Sequence, residues 1–319
     1  MGAYNKMSLY GPIERGRGII YVNKDSMDAF IDIVLQQIRR EFHRPEPRWT
    51  LRHRWTDIPP EKRTWMENEC NRDSEFDALG LRKSLMKRMK EKKTPVTYAT
   101  CPYGEVIVGH DETRDEDIPW GLWGRILRLF SSKRNSKPRF TVYFLAHASR
   151  RTFPSLPSTI LPQHINGGYT YPCQADTIVL YRAEDATRVL IHELQHACCL
   201  DHHENGLDHV EADTEAWAEL FYVALLSKGQ PKAWKEGGRR QWNWMVAQNQ
   251  RVRQHLTAPM AFPWRYTVGK QERWERWFFT RTPPPANRHV EATDSLRLTA
   301  PPTAEQKRAF GVRPSSVVL

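Results

Sequence analysis

The stretch "VLIHELQHACCLDHHENG", residues 189–206, decides how this chain is read. It places His192, Glu193 and His196 in the order His-Glu-x-x-His, with His202 and His203 following. Leu190, Leu194 and Ala197 recur at helical spacing, and Asp185 stands where an N-cap belongs. The pattern predicts a helix from about Ala186 to Leu200. Residues four apart lie on one helix face, so His192 and His196 point the same way and can share one zinc ion. Glu193 stands about 100° around the helix, where its carboxylate reaches a zinc-bound water instead of the metal. One rigid element thus supplies two ligands and a general base. A protein zinc site normally needs a third ligand.

Three residues compete for that place. His202 is six residues after His196 and fits the last histidine of the metzincin pattern His-Glu-x-x-His-x-x-Gly-x-x-His. That pattern has a glycine where the helix must stop and turn, because a residue with φ > 0 is cheapest as Gly. Here the position is Cys199, which makes the turn costly and favours a helix running on to about Leu200 or Asp201. Glu215 follows His196 with eighteen residues between. A second helix, expected over about Asp208 to Leu226, returns antiparallel past a turn at Asn205-Gly206. It reaches the depth of the two histidines at about residues 214–216, and Glu215 lies in that window. Glu211, one turn earlier on the same face, is the fallback. Glu219, one turn later, could hold a ligand histidine from behind. Trp217, Leu220, Phe221 and Ala224 make the opposite, core-facing side.

"HELQH" followed by Thr214-Glu215-Ala216-Trp217-Ala218 resembles the gluzincin metallopeptidases, including thermolysin-like and aminopeptidase N-like enzymes. The block from residue 176 to 226 is also similar, more loosely, to uncharacterised zincin-like proteins of large DNA viruses. The resemblance covers only this block, and no exopeptidase motif such as Gly-x-Met-Glu-Asn accompanies it. It implies a zinc-dependent peptide-bond hydrolase. Zn2+ would be held by His192, His196 and Glu215, with Glu193 taking a proton from the zinc-bound water and passing it to the leaving amine. Gluzincins often add a Tyr or His to stabilise the oxyanion; Tyr222 and Tyr266 are the candidates here. One of the strands "DTIVLY" or "RFTVYFLAH" would offer its edge to an extended substrate.

The rest of the chain bounds this reading. The 319 residues suffice for one large domain or two modest ones, and 39% hydrophobic with 27% charged residues describes a soluble globular protein. A net charge of +11 favours acidic partners, nucleic acid among them. The twelve tryptophans are dispersed, however, and no nucleic-acid-binding signature accompanies them. The five cysteines are odd in number, two are adjacent, and they form no Cys-x-x-Cys pair. They do not read as a disulfide framework, which points to a reducing, intracellular setting, cytoplasmic or nuclear. The N-terminus lacks a signal-peptide run, and no apolar segment reaches the length of a membrane span.

Apolar spacing predicts a helix over residues 25–43, capped by Asp25 or Ser26, then a Pro-, Trp- and Arg-containing connection, then a helix over 74–93. Strand signals follow at 94–101 and 104–110, which can pair across Pro102-Tyr103, and at 139–147, 167–173 and 176–181. After the active-site and glutamate helices, two more are expected over 239–256 and 270–279. From Thr282 the chain is rich in Pro, Ser, Thr and Ala, a composition that predicts a disordered tail. The expected fold is therefore α+β and zincin-like: a small sheet, the active-site helix and an antiparallel glutamate helix, with flanking helices. The expected division is an N-terminal helical region (1–93), a metallopeptidase domain (94–281) and a tail (282–319). Two other readings compete with the peptidase. One is a non-catalytic zincin-fold scaffold or assembly protein, viral in the looser resemblance; the other is a protease acting on nucleic-acid-bound proteins.

Overall fold

The strongest strand signal, "FTVYFLA", becomes the middle of a six-stranded sheet in the computed structural model, which describes residues 24–131, 139–201, 206–278 and 295–319. The described residues begin with α1 (Lys24–His43), β1 (Thr50–Arg52), α2 (Pro60–Asn71) and α3 (Leu81–Lys90). Then come β2 (Val96–Cys101), β3 (Gly104–His110), α4 (Trp120–Ser131), β4 (Phe140–Ala146), a single turn α5 (Pro162–Ile165), β5 (Gly168–Tyr169) and β6 (Ile178–Leu180). It ends with α6 (Ala186–Ala197), α7 (Leu207–Leu226), α8 (Pro231–Val252), α9 (Val268–Phe278) and α10 (Ala304–Ala309). The sheet order is β1-β2-β3-β4-β6-β5.

β2 and β3 form the expected hairpin, with Cys101 opposite Gly104. β3, β4 and β6 run parallel. A parallel connection needs a crossover, and α4 supplies the one between β3 and β4. Every residue of β4 is buried, because both faces of the sheet are covered. Phe140, Val142 and Phe144 face a core shared with α1, α4, α6, α7 and α9. Tyr143 and Leu145 face a second core made with Met66 and Cys70 of α2 and Leu85 and Met89 of α3. The architecture is mixed α and β, with helices on both sides of the sheet.

Several elements differ from expectation. A helix before residue 93 shares a core with those after it. Ile31, Val34 and Leu35 of α1 lie in the same core as α6 and α7, and Phe30 packs edge-on against Trp217 at 5.2 Å. The connection before residue 73 contains α2, opened by Pro60 at its first position, where proline costs no hydrogen bond. α8 begins at Pro231 rather than 239 for the same reason, and it runs through Gly237, where an added Cβ would sit 3.0 Å from Val223 Cγ1. The stretch Asp111–Ser131 holds a further helix, α4, whose Trp123 and Ile126 are fully buried.

The tail is corrected as well. Residues 279–294 lie outside the described residues, but residues 295–319 pack onto the body. Leu296, Leu298, Val318 and Leu319 are each no more than 3% exposed. Leu296 N–H donates to Arg151 O, and Thr299 Oγ1 donates to Glu219 Oε1 at 2.6 Å. Composition suggested disorder; a few fully buried side chains in an extended, hydrogen-bonded segment suffice to dock it. The cysteine reading changes too, since Cys173 is bonded to Cys199 while Cys70, Cys101 and Cys198 are buried and form no disulfide. Among the described residues no helix is long and apolar enough to cross a membrane. The Asp25 and Ser26 side chains, expected to cap α1, lie outside the described residues.

Candidate metal centre

α6 is the helix that carries His192, Glu193 and His196, and its two ends are fixed in different ways. Asp185 is its N-cap residue, as the sequence suggests, but its side chain makes no capping bond. It is instead buried against Arg297 and Arg151. The last residues of the chain close the first turn: Asp185 N–H donates to Val317 O at 2.9 Å and Thr187 N–H to Val318 O at 2.8 Å. At the other end the helix stops at Ala197, earlier than expected. Cys199 takes the left-handed conformation, with φ 53°, and Leu200 N–H closes back on Gln195 O at 3.0 Å. This is the hydrogen bond of a Schellman stop. The disulfide to Cys173 ties this turn to the β5–β6 loop, and the Cys173 and Cys199 N–H groups both donate to His196 O, each at 3.0 Å.

The early stop lets Asp201 fold back beside His196. Asp201 Oδ2 lies 2.8 Å from His196 Nδ1, and its other oxygen accepts from Thr214 Oγ1. Glu215 plays the matching part for the other histidine, with Oε1 3.0 Å from His192 Nδ1. A carboxylate thus lies against Nδ1 of each ring, hydrogen-bonded in the case of His196 and at ion-pair distance in the case of His192. The two Nε2 atoms are 2.9 Å apart. Glu211 comes to them from α7, with Oε2 3.5 Å from His192 Nε2 and Oε1 3.8 Å from His196 Nε2. Among the described residues, His192, His196 and Glu211 offer three ligand atoms that lie within 4.8 Å of one another.

Glu215, the expected third ligand, is placed one position back from that point. Arg188 Nη1 donates to its Oε1 at 2.9 Å, Arg188 Nη2 donates to its other oxygen, and the same Nη2 reaches Glu215 O at 3.0 Å. Arg188 lies one helical turn before His192 on the same face. Its fixed charge claims Glu215, and the fallback Glu211 is left to face the histidine Nε2 atoms. Glu219 does not hold a histidine; it accepts from buried Lys270 at 3.2 Å and lies 3.4 Å from Arg188 Nε. His202 and His203 lie outside the described residues.

The electrostatics suit a cation. Glu193, Glu211, Glu215 and Asp201 surround one buried and one half-buried imidazole, and Arg188 and Lys270 are cations within reach of Glu215 on the far side. Burial opposes protonation of His192, but the Glu215 and Glu211 carboxylates overcome it and raise its pKa to about 10. His196 is raised as well: burial opposes, and the Asp201 hydrogen bond outweighs it. Burial would lift the Glu215 carboxyl, but Arg188 and then His192 hold it well below the usual carboxylate range. Glu193 goes the other way. Burial pushes it up to about 7, with His192 and His196 opposing.

These groups open onto a cavity of about 430 Å³. One wall is α6 and α7; another is β5, the terminal strand of the sheet. Gly168 lets β5 lie directly on the site helix, because a Cβ there would stand 2.7 Å from Val189 Cγ1. Neither strand expected to offer an edge does so, since β4 and β6 are both interior. Gly167 O accepts from Tyr181 N–H, and Gly168 stands opposite Leu180. Antiparallel alternation therefore turns the Gly168 N–H and C=O toward the open side. Tyr266 lines the cavity. Burial, and then Glu211, raise its pKa well above the ordinary tyrosine value, so it stays a protonated donor. Tyr222 lies elsewhere, buried among Arg297, Asp185 and Glu219.

Comparisons of the chain with protein-family models, with curated proteins and with solved structures found no match.

Sequence reasoning missed Arg188, Asp201 and the segment from Glu69 to Arg82 that forms the far wall of the cavity. Arg188 carried a legible signal, an arginine one turn from a candidate ligand on the same face. Asp201 and the far wall depend on where loops return, which no periodicity encodes.

Proposed function

We propose that the protein is a zinc-dependent peptide-bond hydrolase whose metal is held by His192 Nε2, His196 Nε2 and the Glu211 carboxylate. The observation that carries this is the convergence of those three groups on the wall of a cavity, with Glu193 beside them and outside the ligand set. The donor set fits zinc: two imidazoles and one carboxylate leave a position open for chemistry. A zinc ion bound there would supply Lewis acidity toward a carbonyl oxygen and toward water.

The chain's own residues do the rest. Glu193 takes the proton of the attacking water, a task suited to a carboxyl whose pKa burial has brought near neutrality. Asp201 holds the His196 imidazole in the tautomer that leaves Nε2 free for metal, and the Glu215 carboxylate stands against Nδ1 of His192. The open edge of β5 accepts an extended peptide at Gly168. The Tyr266 hydroxyl donates to the oxygen that gains charge as the carbonyl is attacked. This arrangement has no use for Glu193 if the metal only holds the fold together, which is why the catalytic reading is preferred to a scaffold.

The test pairs metal content of the purified protein with hydrolysis of a mixed peptide library and with binding of a simple hydroxamate, which chelates an open zinc whatever the peptide preference. About one zinc per chain, hydroxamate binding and peptide turnover are expected. A zinc-loaded protein that binds no hydroxamate and cleaves nothing would overturn the proposal.

A further inference from the structure

The cavity has a second end, away from the His192, His196 and Glu211 side chains, built by the segment between β1 and β2 together with β5 and the loop after it. Here Phe76 stacks on Tyr169, with ring centres 5.9 Å apart and planes 21° from parallel. Tyr169 meets Tyr171 edge-on at 6.5 Å. The polar atoms of this wall are already occupied among themselves. Tyr169 Oη donates to buried Glu69 at 2.8 Å and accepts from Arg82, while Tyr171 Oη donates to the same carboxylate at 3.2 Å. Arg72 also reaches Glu69, at 3.5 Å. A wall whose charges are spent on each other has little polar recognition to offer a ligand. What it does offer is rigid aromatic surface, because these hydrogen bonds fix the tyrosine rings.

Phe76 is the open end of that surface. It lines the cavity and is 49% exposed, unusual for a phenylalanine whose neighbours are fixed. One ring face is covered by Tyr169 and the other is available. We propose that Phe76, Tyr169 and Tyr171 form the subsite that selects an aromatic side chain of the polypeptide held at the His192–His196–Glu211 centre. The assignment rests on the hydrolase reading above and adds to it the substrate class, an extended peptide with an aromatic residue near the bond to be cut. An incoming ring continues the Phe76–Tyr169 stack, and the Arg72 guanidinium, 68% exposed at the rim, is available to lie over it.

The test uses zinc-loaded protein and three peptide hydroxamates identical except for one side chain: phenylalanyl, leucyl or glycyl. Binding is measured by calorimetry. Ring stacking beyond simple burial predicts that the phenylalanyl compound binds about 3–10-fold tighter than the leucyl one. Phe76→Ala should bring the two to within about twofold, and Phe76→Tyr should restore the preference. Phe76 is half-exposed, so neither substitution threatens the fold, and thermal unfolding of each variant checks this. Equal binding of phenylalanyl and leucyl compounds, or a preference untouched by Phe76→Ala, overturns the subsite and leaves the hydrolase reading standing. Failure of all three to bind the zinc-loaded protein overturns the hydrolase reading and this assignment together.

Discussion

Arg188 grips both carboxylate oxygens of Glu215 while Glu215 lies 3.0 Å from His192 Nδ1, so a buried guanidinium fixes the carboxylate that stands against that ring. The pair makes the two glutamates of α7 differ in role although they are one turn apart. Glu215 is 2% exposed and paired with a cation. Glu211 faces the histidines and the cavity.

That difference is measurable. Glu211→Gln should abolish tight zinc binding and cost less stability than loss of Glu215, because Glu211 pairs with the histidines alone whereas Glu215 also pairs with Arg188 and Lys270. Glu215→Gln should retain a zinc site weakened by about 10–100-fold. It should also unfold more readily, since breaking a buried ion pair from one side costs about 3–5 kcal/mol. Zinc titration with a chromophoric competitor, together with urea unfolding, separates the two. Loss of zinc from the Glu215 variant alone would return Glu215 to the ligand set.

Glu193→Gln keeps the size of the side chain and removes the base. Zinc content and thermal midpoint should stay close to wild type, while peptide hydrolysis falls by at least about 100-fold. His196→Ala should lose zinc and activity together. Equal turnover by wild type and the Glu193 variant would leave the carboxylate without a chemical role.

Removal of residues 282–319 should be strongly destabilising. It strips Leu296, Leu298, Val318 and Leu319 from the core. At about 1.5–3 kcal/mol for each fully buried side chain, the loss rivals the net stability of a whole domain, about 5–15 kcal/mol. Circular dichroism melting of the shortened chain is the measurement, and an unchanged midpoint would show the segment to be dispensable.

Glu105 provides an acid-sensitive contact far from the metal. Burial raises its pKa, but a hydrogen bond from Tyr98 and the ammonium of Lys62, 3.1 Å away, outweigh this and hold it below the ordinary 4.5. A depressed carboxyl contributes stability that is complete above its unfolded pKa and is lost as pH falls through the folded one. Stability should therefore decline as the pH drops below about 4.5. Glu105→Gln should be less stable than wild type at neutral pH and should flatten the decline. Urea unfolding across a series of acidic buffers reads both, and parallel profiles for the two proteins would remove Glu105 from the account.

The parts of the fold that could be read from the residues are those where one face is apolar and the other is not. α6 and α7 announce themselves by the period of Leu190, Leu194, Leu220 and Ala224. β2 to β4 do so by β-branched and aromatic runs. α2 and α8 are masked by Pro60 and by Pro231, Gly237 and Gly238, residue types that disfavour helix interiors, although here the prolines open a helix and Gly237 lets α8 approach Val223 of α7. β5 is only two residues long, below the length at which alternation can be counted. At the site, the two histidines and Glu193 followed from spacing on one helix. The choice between Glu211 and Glu215 did not, because it turns on Arg188, whose partner is set by packing between helices.

The closure of the first turn of α6 by Val317 and Val318 has a consequence in time. The helix that carries both histidines is synthesised long before the residues that satisfy its leading N–H groups. A chain still on the ribosome therefore holds a site helix with an unfinished beginning, and Arg297, the partner of buried Asp185, also arrives late. Chains lacking residues 317 and 318 leave the Asp185 and Thr187 N–H groups without these acceptors, and the first turn of α6 should exchange its amide hydrogens faster in them than in the full chain.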